Sequence, residues 1–351
     1  MKHLIILTIA IGLGVFIGQS FVYLTGTLRD FAEAHEDVNH NNEFSSSISD
    51  DTNEAGIDNT ETNVNDTNNK TRYNNFSNIN IDFNTAGYNI MNENDKLPYF
   101  ENTIFVVSDL ESGSVILSSG DNNIESDIIL NDSKSIASLT KLMTALISYK
   151  EFDLNSSIKI SWDATATYGQ QGNLSVGEIF SVEDIINITL LTSSNDGAEA
   201  LAMNHEHGRD SLIKLMNQQA TNLGMNETFY EDASGLSAKN NSSLNDLKIL
   251  TEYLNNNYPE ILKITKEKSY TTKGRTWFNN SKFRNDKNYF GGKNGYTDEA
   301  RQTLIASFKL PLGQNNENKL INFIVLGSEN AEKDIRDLLL YVLKNIEYID
   351  N

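Results

Sequence analysis

Thr103-Ile104-Phe105-Val106-Val107-Ser108, followed across a turn at Glu111-Ser112-Gly113 by Ser114-Val115-Ile116-Leu117, reads as a pair of β-strands. β-Branched and aromatic residues crowd both runs, and the glycine between them permits a reversal. Near the other end of the chain, Thr303-Leu304-Ile305-Ala306-Ser307-Phe308 and Leu320-Ile321-Asn322-Phe323-Ile324-Val325-Leu326 have the same texture. Between these ends the period changes. Leu139, Leu142, Met143, Leu146 and Ile147 fall at the i, i+3, i+4, i+7, i+8 spacing of a helix packed on a core. Ser181-Val182-Glu183-Asp184 and Ser243-Leu244-Asn245-Asp246 resemble capping boxes, with Asp in place of the usual Glu, and each opens an apolar-periodic segment. A last helix is predicted from about Ala331 to Ile346. Strands at both ends of a helical middle predict an α+β domain over residues 97–351 whose terminal strands share one sheet.

Upstream the composition changes twice. Leu4 to Leu24 is apolar except for Thr8, a few glycines and Gln19-Ser20. About 20 such residues span a ~30 Å hydrocarbon core. The run is longer than the centre of a cleaved signal peptide, and Ala32-Glu33-Ala34 lies well beyond it. Residues 1–25 are therefore expected to be an uncleaved signal anchor, a single pass through the cytoplasmic membrane with Lys2 inside and the catalytic body on the extracytoplasmic side. Residues 35–96 are dominated by Asn, Asp, Ser, Thr and Glu, and are expected to form a disordered tether. Among 351 residues, 38% are hydrophobic, and the shortfall is concentrated in that stretch. The net charge of −20 argues against nucleic acid as a partner, which would demand a clustered basic face. With no cysteine there is no disulfide and no thiolate nucleophile or ligand.

Ser138-Leu139-Thr140-Lys141 places a hydroxyl and an amine one helical turn apart. A serine hydroxyl needs a base to take its proton, and a lysine becomes one when desolvation or nearby positive charge keeps it partly neutral. The pattern is common by itself. Ser156 with Lys159 and Ser211 with Lys214 also match it. Two further stretches single out Ser138. Ser193-Ser194-Asn195 joins the end of one apolar helix to the start of another, a position from which side chains enter a cleft. Gly291-Gly292-Lys293-Asn294-Gly295-Tyr296-Thr297 precedes a predicted strand, with glycines that permit close backbone approach and a cation beside them.

Ser-x-x-Lys, Ser-x-Asn and Lys-Thr-Gly, in that chain order, mark penicillin-binding proteins and serine β-lactamases. The longer wording is similar to the D-alanyl-D-alanine carboxypeptidase family. The phrases that carry it are Ala137 to Ala145, Ser193 to Ala202, Met216-Asn217, Leu223 to Met225, Phe229 to Leu236, Tyr258 to Ile261 and Gly292 to Ala300. The resemblance covers roughly residues 100–350. It implies a β-lactamase/transpeptidase-like fold, an antiparallel sheet flanked by a mostly helical region. It also implies stem peptides ending in D-Ala-D-Ala as substrates, β-lactams as covalent inhibitors, and neither cofactor nor metal. Carried over, Ser138 is the nucleophile, Lys141 the acylation base and Ser193 a proton relay to the leaving amine. Asn195 holds the substrate backbone. Lys293 positions the terminal carboxylate and keeps the Lys141 pKa low. The N–H groups of Ser138 and Tyr296 form the oxyanion hole.

One position departs from the pattern. Asn294 stands where the family has the threonine that donates to the substrate carboxylate, and between Lys293 and Gly295 its longer amide can also donate. The β-rich C-terminal domain of many relatives is not expected, and the N-terminal helix would replace its membrane anchor. A β-lactamase would need a water-activating Glu after the Ser-x-Asn element; Phe229 to Leu236 resembles the carboxypeptidases there, and Glu231 is read as structural. A non-catalytic peptidoglycan-binding or β-lactam-sensing module is the reading that Asn294 alone would favour. His205 and His207 would point to different faces of a helix, which gives no reason for a metal site.

Overall fold

The computed structural model describes residues 87–349 apart from 93–94, 120–122 and 170–171. The expected anchor at 1–25 and the tether up to 86 lie outside the described residues. Among the described residues no helix is long and apolar enough to cross a membrane.

Five strands form the main sheet: β1 (Ile104–Asp109), β2 (Val115–Ser118), β3 (Tyr289–Thr297), β4 (Arg301–Leu310) and β5 (Lys319–Ser328). Their order is β3-β4-β5-β1-β2, and every pairing is antiparallel. Ile321 of β5 lies opposite Asp109 of β1 and Leu326 opposite Ile104, so strands from the two ends of the domain are neighbours, as their composition implies. β1 is buried at every position and β5 at nearly every one, the pattern of a sheet covered on both faces.

Two helices provide the cover. Along β5, Asn322 and Phe323 point to opposite faces. Asn322 donates from Nδ2 to Thr251 Oγ1 (2.9 Å) on helix α5 (Leu244–Asn257). Phe323 stacks edge-on against Phe308, which meets Phe283, and the guanidinium of Arg336 on helix α7 (Ala331–Asn345) lies 4.7 Å from the Phe283 ring centre. Besides the short helices Asn123–Leu130 and Trp162–Thr165, the helices α1 (Thr140–Glu151), α2 (Val182–Thr192), α3 (Asn195–Met203), α4 (Arg209–Asn222) and α6 (Pro259–Lys266) make the helical region. Residues Thr140 to Ser148 of α1 are all buried, which makes it the central helix of that region. Around it pack α2, α3 and α4.

Of the two anticipated capping boxes, the first is complete. Ser181 Oγ accepts from Asp184 N (3.0 Å) and Asp184 Oδ2 accepts from Ser181 N (3.1 Å), opening α2. At α5, Ser243 Oγ accepts from Asp246 N (3.1 Å), but Asp246 Oδ2 turns to Glu227 N (2.8 Å) and Thr228 Oγ1 (2.7 Å). That carboxylate ties the helix to a neighbouring loop and leaves the box half made.

Two expectations are corrected. The polar tether expected to reach residue 96 stops short of it, because Tyr88–Ile90 is a strand paired antiparallel with Ile346–Tyr348. Tyr88 is buried, and its hydroxyl donates to Asp109 Oδ2 (2.5 Å). Its partner strand lies more than 250 residues away, so no local pattern marks it. Gly291 to Thr297, expected to precede a strand, does precede β4 and is itself part of β3. Glycine weakens strands in isolation. Here it is required, because a Cβ on Gly291 would stand 2.6 Å from Leu262 O of α6 and one on Gly292 2.0 Å from Ile305 O of β4.

Candidate active site

The nucleophile turn forms where α1 begins. Ala137–Leu139 is a single 3-10 turn, so Ser138 precedes the α-helix rather than lying inside it. Ala137 has φ +48°, a left-handed conformation that costs a non-glycine residue about 1 kcal/mol or more and is held only by its surroundings. Those surroundings are specific. Thr140 Oγ1 donates to Ala137 O (2.8 Å), Thr303 Oγ1 of β4 donates to Ile136 O (3.0 Å), and Gly235 lies so close that a Cβ there would sit 2.0 Å from Ala137 O. The strained turn presents Ser138, which stays half-exposed between two buried neighbours.

Lys141 is fully buried one turn on. Its Nζ donates to Ser138 Oγ (2.9 Å), Asn195 Oδ1 (2.6 Å) and Ser234 O (2.5 Å), which uses all three donor positions of an ammonium. Burial lowers its pKa to about 7, against the pull of Asp232, Glu199 and Asp196, which favour the charged form. An amine that is half neutral near pH 7, in hydrogen-bond contact with a serine hydroxyl, can accept that proton.

Ser193 takes the left-handed conformation (φ +60°) at the junction of α2 and α3, and its Oγ accepts from Lys293 Nζ (2.8 Å) of β3. Lys293 Nζ also donates to Asn294 O (2.6 Å). Lys293 is buried, and its pKa lies well below the usual lysine value through burial and the nearby Lys141 amine. Burial is the dominant cause at Lys141, and the two buried amines disfavour each other's charge.

Asn195, expected to hold the substrate backbone, is buried and engaged within the protein. Besides accepting from Lys141 it donates from Nδ2 to Tyr168 O (2.9 Å) and Gly169 O (3.1 Å), bracing the base against that segment. The strand β3 runs along the nucleophile turn. A Cβ on Gly295 would meet the Ser138 nitrogen at 2.7 Å, so only glycine fits there. Asn294 is half-buried, and Tyr296 is exposed with its hydroxyl donating to Asp298 Oδ1 (3.0 Å). As the edge strand of the sheet, β3 has one side free of sheet partners among the described residues.

The other Ser-x-x-Lys matches separate cleanly. Ser156 and Lys159 are exposed at a short strand, and Lys214 is exposed on α4 with Ser211 only half-buried. Glu231 pairs with Lys239 at 3.4 Å and is 43% exposed, consistent with a structural role. His205 packs edge-on against Phe152, and among the described residues no group of three or more His, Cys, Asp or Glu could hold a metal.

The residues missed by sequence reasoning are those behind Lys141. Ser234 contributes a backbone carbonyl, which has no side-chain signature. Asp232 holds it there, accepting from Ser234 N (2.9 Å), Gly235 N (2.5 Å) and Ser237 N (2.7 Å). Asn240 completes the support, donating from Nδ2 to Thr140 Oγ1 (3.0 Å) and to Asp232 O (3.1 Å). The readable signal was the Asp-x-x-Gly spacing of Asp232 and Gly235, a side chain capping its own turn.

The chain is similar to known proteins. The chain is 31% identical over 229 residues to D-alanyl-D-alanine carboxypeptidase DacD of Escherichia coli K12, which covers 60% of this chain and 57% of that protein. It thus spans little more than half the length of that curated relative. Penicillin-binding protein 6B of Escherichia coli superposes with a TM-score of 0.60 at 26% identity, over 73% of this chain and 81% of that one. A D-alanyl-D-alanine carboxypeptidase structure from Mycobacterium tuberculosis H37Rv gives 0.61 at 23% identity, over 72% and 94%, a likeness of fold. The fold is that of the penicillin-binding proteins and transpeptidases. Because the family model described as D-alanyl-D-alanine carboxypeptidase matches residues 92–330, well over half of its length, the chain belongs to that family, peptidase S11.

Proposed function

We propose that the protein is a serine D,D-carboxypeptidase that removes the terminal D-alanine from peptidoglycan stem peptides ending in D-Ala-D-Ala, with β-lactams as covalent inhibitors. The observation that carries this reading is the contact of the fully buried Lys141 amine with Ser138 Oγ at 2.9 Å. Lys141 takes the Ser138 proton as Oγ bonds to the carbonyl carbon between the two D-alanines. The tetrahedral oxyanion is held by the N–H groups of Ser138 and Tyr296, each such donor being worth about 10²–10³ in rate. The carbon–nitrogen bond then breaks, and the departing D-alanine amine receives, through Ser193, the proton that Lys141 took from Ser138, while Lys293 donates to Ser193 Oγ. Water hydrolyses the ester on Ser138 and restores the hydroxyl. The free edge of β3 offers backbone groups to an extended peptide, and Lys293 with the Asn294 amide supplies donors for its terminal carboxylate.

Ser138→Ala is expected to abolish both labelling by fluorescent penicillin and release of D-alanine from a pentapeptide, while Ser156→Ala and Ser211→Ala retain both. A silent Ser156→Ala beside an active Ser138→Ala would refute the assignment. Labelling without D-alanine release would instead identify a β-lactam-sensing module.

The same proposal places the catalytic domain outside the cytoplasmic membrane on the anchor formed by residues 1–25, supported by the apolar run Leu4 to Leu24. Membrane association that resists carbonate washing, and is lost when residues 1–25 are removed, is the expected result. Release of the intact chain by carbonate would exclude an anchor.

A further inference from the structure

Three carboxylates lie close enough to Lys141 to favour its charged form: Asp232 in the connection between α4 and α5, and Glu199 and Asp196 on α3. The amine of Lys293 on β3, buried in the same site, disfavours that form by mutual repulsion. The carboxylates are not equivalent. Glu199 is paired with the Arg209 guanidinium at 2.7 Å, so most of its charge is answered locally. Asp196 accepts from Gly172 N (3.0 Å), Leu174 N (3.3 Å) and the Ser194 hydroxyl, and its contacts lead away from the amine toward the 172–174 segment. Asp232 is buried, and the donors to its carboxylate are all neutral. Oδ1 accepts from Ser234 N, Gly235 N, Ser234 Oγ (3.2 Å) and Asn240 Nδ2 (3.1 Å), and Oδ2 accepts from Ser237 N. Among the described residues it forms no ion pair. It is also the carboxylate joined to the base through one residue, since it grips the N–H of Ser234 while the carbonyl of Ser234 receives Lys141 Nζ.

We infer that Asp232 is a positioning residue for the base: it fixes the carbonyl that receives the Lys141 amine, and its buried charge stabilises the ammonium formed when Ser138 gives up its proton. The neutral donor set leaves that charge unspent within the loop; of the two cations that feel it, Arg209 is already paired with Glu199, and the other is the ammonium made at Lys141 during attack. The same carboxylate opposes the desolvation of Lys141, which would otherwise lower the proton affinity of the amine further. Removing the charge therefore has two consequences that a purely structural residue would not combine. The amine becomes neutral at lower pH, which extends activity into acid, and it becomes a weaker base, which lowers the rate where it is fully neutral.

This inference rests on the proposed acylation of Ser138, and its test is the acylation rate of the full chain with fluorescent penicillin between pH 5 and 9. For Asp232→Asn the acid limb is expected to move down by about one pH unit, the lower end for loss of a neighbouring opposite charge. The rate at pH 5.5 relative to that at pH 8.5 then rises about eightfold while the plateau falls. Asp232→Glu keeps the charge and disturbs the turn, so its plateau falls with the limb in place. Asp232→Ser keeps a short acceptor without charge and should move the limb as Asn does, which provides a second uncharged variant should Asn fail to fold. A limb that stays at the wild-type position in the uncharged variants, or moves equally in Asp232→Glu, overturns the inference. Wild-type protein that takes no label at any pH would instead overturn the proposed function.

Discussion

At the scale of single residues, the chemistry depends on a lysine denied water. Every donor of Lys141 is used inside the protein, and burial brings its pKa to about 7. Below that value the amine is protonated and cannot act as a base; above it the neutral form dominates. Acylation by penicillin is expected to fall about tenfold per pH unit below the limb near 7 and to level off above it. A rate that is flat from pH 5 to 8 would show that Lys141 is not the titrating base. The hydroxyl it serves is set by backbone geometry as much as by chemistry. Ala137 is held at positive φ, and Gly235 and Gly295 each leave room that one methyl group would fill. The lysine–serine pair was legible because three residues of spacing and one turn of helix are a local relation. Its backing was not, because Ser234 acts through a carbonyl that every residue carries.

At the scale of elements, the site is assembled from helix ends and one strand edge. Helix α2 matters because its last residues deliver Ser193, and its start is secured by the reciprocal Ser181–Asp184 box, with Asp184 also receiving Tyr270 Oη at 2.7 Å. Removing the cap by Ser181→Ala is expected to cost about 1 kcal/mol. In a domain of this size that is a fall in Tm of about 2–4 °C, read by calorimetry. An unchanged Tm would mean that the box adds nothing to the packed helix. Its far end is held by Asn280, whose N–H donates to Leu191 O (2.9 Å) and whose Nδ2 donates to Thr192 O (3.1 Å). The strand β3 shows where local propensity fails. Gly291, Gly292 and Gly295 argue against a strand in isolation, yet each meets a neighbour that only a glycine clears.

At the scale of the whole molecule, a buried polar chain joins the sheet to helix α5, which covers one of its faces. Ser307 Oγ donates to Asn322 Oδ1 (2.9 Å), and Asn322 Nδ2 donates to Thr251 Oγ1, which donates in turn to Leu247 O (3.0 Å). Asn322 is fully buried at the middle of β5. Asn322→Ala strands the Ser307 hydroxyl and opens a cavity, at an expected cost of about 2–4 kcal/mol. Urea unfolding should show a lower midpoint with an unchanged slope, whereas two separate transitions would mean that the sheet and helical layers unfold independently. The arm at Tyr88–Ile90 belongs to this scale too, because its strand partner comes from the opposite end of the domain.

The sequence by itself determined the α+β order of elements, the capped start of α2, and the pairing of Ser138 with Lys141, because each rests on relations within a few residues. Only tertiary structure decided that Ser193 meets Lys293, one hundred positions away, that β3 is a strand, and that the tether's last residues join a sheet. The physical reason is the same in each case. Burial sets the proton affinities of both lysines, and long-range contact sets which backbone groups find partners. Neither quantity exists until distant segments exclude water from one another.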